Sequence, residues 1–565
     1  MKSTLAALLG TLSLVMGWLS ASAQSTAPAF DFSQACGTFS GTGETRVNQI
    51  VPGSTGGYYV TGSFYGTVTF GSYTLTPVGA DDIYVAKVDG AGNYQWVVQA
   101  GGASSDKGNS LAVDGNGNVY VTGTFGSLQA SFGSITLSHV NGNDNTFVAK
   151  LSPTGSWLWA TQTAGGNYSF GDFAVSVALD GSGNVYVAGQ FVSQKLILGS
   201  IILTNSDPTI AYNGFKRPDL YVAKLSPTGT WLWAVSGGGT SDDVAAGLAV
   251  DPAGNVYLAG SFESATATFG NTTFTKSGYA NTIVAKLDGA GNWLWVTRAG
   301  GSAYCYPTSI AVDASGQAYL AGNFTLSATF GSYTSGAVGY YDAFVAKLGA
   351  TGTWQWVAQC GGSAADAALG LSLGNQGSIY IAGRFLSPTM QVGATTLTSY
   401  PTKTNNYEVF AAKLDALGTW QWAVQGTGSG DDIATSGALD GLGRFWIAGY
   451  SFGPAIQFGA TTITNPMANT GIGFVARLSS QVLATQVPAA GTQSFTIYPN
   501  LAHGTVGVQG VVAGQPIHLH DLTGRLLLTA EAPTSGSLQL SLPVTLAPGV
   551  YVVSSGGRTQ RMVVE

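Results

Sequence analysis

The fold is decided by residues 248–295, which contain the runs LAVDPAGNVYLAGSF (248–262) and IVAKLDGAGNWLW (283–295). Apolar and aromatic runs alternate there with short turns rich in Gly, Asn and Asp, which is typical of antiparallel strands joined as hairpins. We interpret the stretch as four strands, at 248–250, 256–262, 283–287 and 293–295. Four antiparallel strands within about 64 residues make one blade of a β-propeller.

This unit recurs along the chain, so that the glycine ending its second strand appears seven times, as Gly62, Gly123, Gly189, Gly260, Gly322, Gly383 and Gly449. The seventh repeat has its third strand at 474–478 but no Trp-x-Trp strand after it. Residues 30–35, ahead of the first repeat, resemble that missing strand. An N-terminal strand that completes the last blade would remove an open edge. The sequence therefore predicts an all-β fold with a closed, seven-bladed propeller of four-stranded blades over residues 24–478.

Composition excludes several classes of protein. Hydrophobic residues make up 45% of the 565 residues, charged residues 9%, and the net charge is −7. Intrinsic disorder needs few apolar residues and high charge, and a nucleic-acid surface needs clustered Lys and Arg. We therefore expect a folded protein with no nucleic-acid partner.

Residues suited to metal or nucleophilic catalysis are scarce. The four histidines are His139, His503, His518 and His520, and the three cysteines are Cys36, Cys305 and Cys360. One histidine in the whole propeller leaves little material for a zinc site or a Ser-His-Asp triad. We expect no catalytic residue, no cofactor and no metal, and we expect Cys305 and Cys360, which flank one blade, to be unpaired.

The first 23 residues are predicted to be a secretory signal peptide. Lys2 supplies a positive end, residues 5–19 an apolar stretch, and residues 21–23 (Ala-Ser-Ala) a cleavage site. Cleavage is expected between Ala23 and Gln24. An apolar stretch of this length is short for a membrane span, so we expect no transmembrane helix in the mature chain.

The repeat resembles the bacterial SBBP-type β-propeller repeat, through its Gly-Asn-Val-Tyr-Val-x-Gly strand (117–123) and its Phe-Val-Ala-Lys-Leu strand (147–151). The resemblance covers about residues 30–478 and implies a fold, with almost no information on function. Residues 285–295 also resemble the tryptophan-docking repeat of quinoprotein dehydrogenases, and residues 226–231 resemble a sialidase aspartate box. The chain lacks the adjacent cysteines of the first family and the aspartate of the second.

A different pattern begins after the repeats. Residues 479–494 are a polar linker, and residues 495–565 contain short strand signals, which by themselves predict a small β-sandwich. Four motifs in this region resemble the C-terminal sorting domain of type IX secretion cargo: Tyr-Pro-Asn at 498–500, 521–525, 548–553 and 561–564. The resemblance implies a type IX secretion machinery as partner, and a secreted or outer-surface location in a Gram-negative bacterium.

Three repeated features have a structural and a functional interpretation. Trp at i and i+2 of a fourth strand, such as Trp231 and Trp233, would either stack on carbohydrate or pack between blades, and their recurrence favours packing. Turns such as 251–255 (Asp-x-x-Gly-Asn) lack the further ligands of a calcium loop. We also expect a ring of Lys–Asp pairs to fasten the blades, between third-strand cations (Lys87, Lys150, Lys224, Lys286, Lys347, Lys413 and Arg477) and acids that follow Trp-x-Trp (Asp106, Asp172, Asp242, Asp366 and Asp431).

Binding residues are predicted from the topology. The connections between strands two and three and between blades vary in length and share one end of the propeller, where binding usually resides. The longest insertions lie in repeats three and six. They supply the candidate ligand-binding residues Tyr212, Lys216, Arg217, Tyr400, Lys403 and Tyr407. Such side chains suit a glycan or a protein surface, and ordinary loop variation is the alternative.

These observations predict a non-catalytic, exported β-propeller that acts in ligand binding or adhesion at the cell surface, with a glycan or a surface protein as its partner. The alternative is a secreted propeller hydrolase or lyase that acts on polysaccharide. Glycoside hydrolysis would need two nearby carboxyl groups, one of them with a raised pKa.

Overall fold

The computed structural model describes residues 27–564, apart from 40, 54–55, 139–143, 166–170, 208–216, 401–405, 468–469, 480–494, 499–500, 503, 522–525, 544–545, 547–548 and 556–557. The predicted signal peptide, with Ala23 and Gln24, lies outside the described residues. The chain divides into two compact units, residues 1–480 and 481–565. The described residues form strands, and a 3-10 turn at Asn375–Gly377 is the one helical element among them. None of their helices is long and apolar enough to cross a membrane.

One four-strand antiparallel core recurs through the first unit, and we number these sheets 1–7 after the repeats. The first strands are Glu44–Pro52, Asp106–Val113, Phe173–Leu179, Asp243–Val250, Cys305–Val312, Asp366–Leu373 and Asp432–Leu439. The second strands are Tyr58–Tyr65, Val119–Phe125, Val185–Phe191, Val256–Phe262, Ala318–Phe324, Ile379–Phe385 and Phe445–Ser451.

The third strands are Asp82–Val88, Asn145–Leu151, Asp219–Leu225, Asn281–Leu287, Asp342–Leu348, Glu408–Leu414 and Ile472–Leu478. The fourth strands are Tyr94–Gly102, Trp157–Gln162, Trp231–Gly239, Trp293–Gly301, Trp354–Gly362 and Trp420–Gly428. In sheet 7 the fourth position is taken by Phe30–Cys36, which pairs antiparallel with Ile472–Leu478.

Hydrogen bonds join the first strands of most neighbouring sheets, and of the first and last sheets. The Thr435 hydroxyl of sheet 7 donates to the Val47 carbonyl of sheet 1 at 2.7 Å. In the equivalent position between sheets 5 and 6, the Thr308 hydroxyl donates to the Ala368 carbonyl at 2.6 Å. The second and third strands are buried on both faces, because β-branched, aromatic and Ala side chains fill both sides of them.

Each second-to-third connection contains a two-stranded hairpin that the sequence analysis missed. The hairpins are Val68–Phe70/Tyr73–Leu75, Gln129–Phe132/Ile135–Ser138, Lys195–Leu198/Ile201–Thr204, Thr266–Phe269/Thr272–Thr275, Ser327–Phe330/Tyr333–Gly336, Thr389–Val392/Thr395–Thr398 and Ala455–Phe458/Thr461–Thr464. Five of them pair with the fourth strand of the preceding sheet, as where Phe269 faces Gly237. Thr69 and Ile197 form isolated bridges to Thr38 and Ala164. The four strands predicted for a repeat are present, and the prediction was incomplete, since the hairpins add two more strands and the segments between each hairpin and the third strand vary most.

The strand order gives each sheet two different ends. The end that we call the turn end carries the short first-to-second and third-to-fourth turns, which are 251–255 and 288–292 in repeat 4. The other, which we call the loop end, carries the second-to-third and sheet-to-sheet connections, which in repeat 4 are 263–280 and 302–304.

The second unit contains two sheets. A three-stranded sheet is formed by Thr496–Tyr498, Thr505–Gln509 and Ser537–Ser541. A five-stranded sheet runs in the order Leu501–Ala502, Arg558–Val564, Gly549–Ser555, Pro516–Asp521, Leu526–Glu531. Val506 and Val508 of the smaller sheet share one buried apolar cluster with Leu519 and Val553 of the larger one. The predicted motif residues 499–500, 522–525 and 548 lie outside the described residues.

Candidate ligand-binding site

Three of the six predicted binding residues, Tyr212, Lys216 and Lys403, lie outside the described residues. Arg217 is exposed, and its Nη1 donates to Asp242 Oδ1 at 3.0 Å. Tyr400 is 42% exposed. Tyr407 is half-buried, and the guanidinium of Arg384 lies 4.2 Å from the centre of its ring. Of the three that are described, Tyr407 is the one that belongs to a larger cluster.

That cluster begins with three stacked tyrosines at the loop end of sheets 4 and 5. The rings of Tyr279 and Tyr304 stack with centroids 5.2 Å apart and an interplanar angle of 20°. Tyr304 in turn stacks on Tyr306, at 5.5 Å and 22°. Tyr279 is 62% exposed, so the stack presents an aromatic surface to solvent.

Polar contacts extend the cluster toward sheet 6. The Tyr306 hydroxyl donates to Glu263 Oε1 at 2.9 Å. Burial raises the pKa of Tyr341, and the nearby charges of Tyr340, Tyr304, Glu263 and Tyr407 raise it further, so Tyr341 belongs to the same neighbourhood. We call Tyr279, Tyr304, Tyr306, Tyr341 and Tyr407 the tyrosine arc. It spans the loop ends of sheets 4, 5 and 6.

Sequence reasoning missed most of the arc because it searched for long insertions. Tyr304, Tyr306 and Tyr341 lie in connections of ordinary length or beside them. The signal that could have found them is the pair of aromatic doublets at 304/306 and 340/341, which have no counterpart in the other repeats. Arg384 lies inside a second strand, Ile379–Phe385, where no loop argument could select it.

The predicted Lys–Asp pairs exist with different aspartates. Lys286 Nζ lies 3.6 Å from Asp251 Oδ2, and Lys224 Nζ lies 3.7 Å from Asp180 Oδ2. These aspartates belong to the first-to-second turn of the same sheet, and Lys286 also lies 4.8 Å from the ring centre of Tyr257. The prediction that the acids after Trp-x-Trp are the partners was therefore wrong, because they lie at the loop end and the lysines lie at the turn end.

The acids at the loop end form buried carboxyl pairs between strands. Asp82, which begins a third strand, and Asp106, which begins the next first strand, are fully buried. A Cβ on Gly101 would lie 2.5 Å from Asp82 Oδ1 and 3.0 Å from Asp106 Oδ2, so the two carboxyls meet at that glycine. Equivalent pairs are Asp219/Asp243 and Asp342/Asp366. In two repeats the buried acid is the residue after the one predicted. Asp243 and Asp432 are buried, whereas the predicted Asp242 and Asp431 are half-buried.

Burial raises the pKa of these carboxyls. The pKa of Asp82 rises to about 7 through desolvation, with a smaller increase from the charge of Asp106. Desolvation likewise raises the pKa of Asp243 to about 7, and Asp219 adds to it. Asp106 Oδ2 accepts hydrogen bonds from Gly102 N and Ser127 Oγ, each at 2.7 Å. Because these carboxyls are buried, they cannot reach a glycosidic bond and do not supply the acid and base of a glycoside hydrolase.

The tryptophans pack between sheets, as interpreted from their recurrence. The Trp233 Nε1 donates to Gly289 O of the next sheet at 3.1 Å. A Cβ on Gly291, whose φ is +89°, would lie 2.9 Å from the Trp233 ring. The same contact recurs at Gly155, Gly229, Gly352 and Gly418, against Trp96, Trp159, Trp295 and Trp356. A Gly in each of these third-to-fourth turns therefore admits a Trp from the preceding sheet.

The Asp turns and the cysteines are structural in the described part of the chain. Asp251 Oδ1 accepts from the backbone N–H of Ala253 and Asn255, and Oδ2 accepts from the Asn255 side chain. These bonds hold a hairpin turn and use the carboxylate oxygens that a calcium ion would need. Among the described residues, no three His, Cys, Asp or Glu side chains cluster to hold a metal. Cys305 and Cys360 are buried free thiols.

Comparison with known proteins supports the repeat and the fold. A family model described as "SBBP: Beta-propeller repeat" matches residues 95–124. An uncharacterized WD repeat-containing protein of Acanthamoeba polyphaga mimivirus is 25% identical over 358 residues, which is 54% of this chain and 26% of that protein. The chain thus spans about a quarter of the length of this curated relative.

Solved structures show distant likeness. A protein of unknown function from Dyadobacter fermentans aligns with 66% of this chain and 94% of its own, at 11% identity and a TM-score of 0.36. A catalytically inactive virginiamycin B lyase from Staphylococcus aureus aligns with 79% of this chain and 99% of its own, at 6% identity and a TM-score of 0.35. The chain carries an SBBP β-propeller repeat in an all-β structure of antiparallel sheets.

Proposed function

We propose that this protein is an exported, non-catalytic β-propeller that binds a glycan at the cell surface through the tyrosine arc. The arc carries the proposal: the exposed ring of Tyr279, stacked with the half-buried rings of Tyr304 and Tyr306, offers a flat apolar face and hydroxyls to a sugar. Its position supports this role, because the arc lies at the loop end, where the connections differ from repeat to repeat.

The scaffold of the proposal is a closed ring of seven blades over residues 24–478. Two observations support closure: Phe30–Cys36 pairs with the last repeat, and Thr435 of sheet 7 bonds to Val47 of sheet 1. A closed ring completes the last blade and packs every blade between two neighbours, which keeps the arc on a rigid support.

Export is proposed from sequence motifs alone. Residues 1–23 are the proposed signal peptide, residues 479–494 the linker and residues 495–565 the sorting domain that engages the type IX machinery. The protein would then be released or held at the outer surface of a Gram-negative bacterium.

The test is a glycan-array screen of the purified mature chain, followed by product analysis for every glycan bound. Tyr279→Ala should weaken binding of a hit roughly 2–13-fold, because a stacking contact contributes about 0.5–1.5 kcal/mol. Tyr333→Ala is the matched control, since Tyr333 is exposed in an outer hairpin and lies outside the arc.

Three results would count against the proposal in different ways. Sugar released from a bound glycan would indicate the polysaccharide hydrolase or lyase that is the alternative function. Equal losses in Tyr279→Ala and Tyr333→Ala would place the binding site elsewhere. A screen without a bound glycan would leave a surface protein as the partner and reject the glycan.

A further inference from the structure

The propeller contains six arginines, and the structure satisfies five of them. Four form ion pairs: Arg46 with Glu44, Arg217 with Asp242, Arg444 with Asp440 and Arg477 with Asp31. Arg298, on the fourth strand of sheet 4, donates from Nη1 to the Thr275 carbonyl at 2.9 Å and to Asn281 Oδ1 at 3.2 Å. In a chain with 9% charged residues, each of these cations has its own acceptor.

Arg384 is different. It is half-buried, its guanidinium carbon lies 4.2 Å from the centre of the Tyr407 ring, and its Nε is buried without a hydrogen-bond acceptor. Within the described part of the chain, Arg384 forms no ion pair. A buried N–H donor without an acceptor costs free energy, and more so when it is charged, so such a group in a native protein calls for a partner.

Acids near Arg384 are engaged by the backbone. Asp431 Oδ1 accepts from the Tyr407 N–H at 2.8 Å, and Glu408 Oε1 accepts from the Tyr400 N–H at 2.8 Å. These bonds hold the connection that ends at Tyr407 against the start of sheet 7. They leave the guanidinium stacked on Tyr407 as a cation that is positioned but not neutralised.

We propose that Arg384 is an anion-binding residue of the tyrosine arc, and that the glycan it recognises is acidic, with a carboxylate or a sulfate on the sugar beside Tyr407. The inference rests on the proposed glycan-binding function and adds the class of ligand. A guanidinium suits both anions, because its planar fork donates two parallel N–H bonds to a carboxylate or a sulfate. The Tyr407 ring holds that fork in one orientation, and the remaining tyrosines offer ring faces to the neighbouring sugars.

The experiment measures affinity of the full mature chain and of Arg384→Gln for two matched pairs of polymers. Polygalacturonate is compared with its carboxyl-reduced form, and dextran sulfate with dextran. The wild type should bind one charged polymer at least ~10-fold more tightly than its neutral match. Which polymer is preferred distinguishes a carboxylate from a sulfate. Arg384→Gln should lose that ~10-fold preference, and Arg384→Lys should recover it in part, because a lysine keeps the charge but loses the fork.

Arg444→Gln is the matched control, because it removes the same charge from a turn at the turn end, away from the tyrosine arc, and should leave the preference unchanged. Thermal unfolding of each variant shows whether it is folded, and the comparison of polymers on the wild type needs no variant at all. Equal binding of the charged and neutral polymers by the wild type would overturn the inference and leave the glycan-binding function standing. Retention of the preference by folded Arg384→Gln would also overturn it, and binding of no glycan would reject both.

Discussion

The two ends of the seven sheets are built by different rules. At the turn end, one set of contacts recurs from repeat to repeat: an Asp that holds its turn, a Lys over a Tyr ring, and a Gly that admits a Trp from the preceding sheet. At the loop end, buried carboxyls recur below the surface, but the surface itself differs, and the tyrosine arc and Arg384 occur once. Recurrence thus marks the contacts that hold the sheets together, and singular clusters mark candidates for recognition.

The largest expected effect concerns the Trp–Gly contact. Gly291→Val should lower the free energy of unfolding by roughly 3–4 kcal/mol, since it combines a left-handed φ with a clash against Trp233. Gly254→Val is the control, because its φ is +82° and no atom lies within 4 Å of its Cβ position. It should lose only about 1–2 kcal/mol, the cost of the backbone conformation. Equal losses in chemical denaturation would show that the Trp contact adds nothing.

The next effect concerns the buried carboxyls and pH. The pKa of Asp82 is about 7 in the folded protein, against an ordinary value of 3.8, so the folded state holds a proton that the unfolded state releases. This proton contributes fully to the free energy of unfolding below pH 3.8, and the contribution is lost as pH rises toward 7. Asp82→Asn should remove that part of the slope and raise stability at pH 8 by about 1–2 kcal/mol.

Two other repeats already have an Asn side chain at the position of Asp82. Asn145 and Asn281 occupy the position of Asp82 in their own repeats, and Asn281 Oδ1 accepts from Ser277 N at 2.8 Å just as Asp82 Oδ2 accepts from Val78 N at 3.1 Å. The substitution is therefore expected to keep the fold. Urea unfolding of Asp82→Asn between pH 4 and pH 8 gives the answer, and a slope equal to that of the wild type would contradict the assignment.

A smaller effect is expected for the lysines at the turn end. Lys286→Gln should cost roughly 0.5–1 kcal/mol, because it removes a half-buried ion pair with Asp251 and a cation–π contact with Tyr257. Lys195, which is exposed in an outer hairpin, is the control. Chemical denaturation of Lys286→Gln that matches Lys195→Gln would show that the recurring lysines do not hold the sheets.

The smallest effect is expected at Arg217, which has an ion-pair partner and is compared with Arg384, which has none among the described residues. Arg217 and Asp242 form an exposed ion pair, which contributes little to stability. Arg217→Gln should shift the free energy of unfolding by less than about 0.5 kcal/mol and leave glycan affinity within about twofold. A loss of affinity as large as that of Arg384→Gln would move the binding site toward repeat 3.

The strands could be predicted from sequence because their signals are local. Alternating apolar residues, Gly turns and the misplaced strand at 30–36 are all readable along the chain. The hairpins were missed although they carry the same alternation: in Thr266–Phe269, exposed Thr alternates with buried Ala267 and Phe269. The runs are four residues long, and they pair with a strand of another repeat, which a search within one repeat does not consider.

The site was harder to predict because it depends on which residues from different sheets meet. Tyr407 was found through its insertion, whereas Tyr304 and Tyr341 precede two different strands of sheet 5 and Arg384 lies within a strand of sheet 6. The acidic partner of Lys286 was predicted wrongly for a similar reason. Spacing along the chain showed that acids recur, and the strand directions decided which of them lie at the same end as the lysine.

The hairpins also bear on how such a chain gains or loses repeats. In five of the seven repeats the hairpin adds two strands to the sheet before it, and repeat 4 both gives such a hairpin and receives one, so this unit excised alone would expose unpaired backbone on both sides. Folding of one unit alone is thereby penalised, and neighbouring units should unfold together in one cooperative transition. Because every repeat contains the same kind of hairpin, and five of the seven pair with the preceding sheet, gene duplication of one such unit creates a junction that already fits.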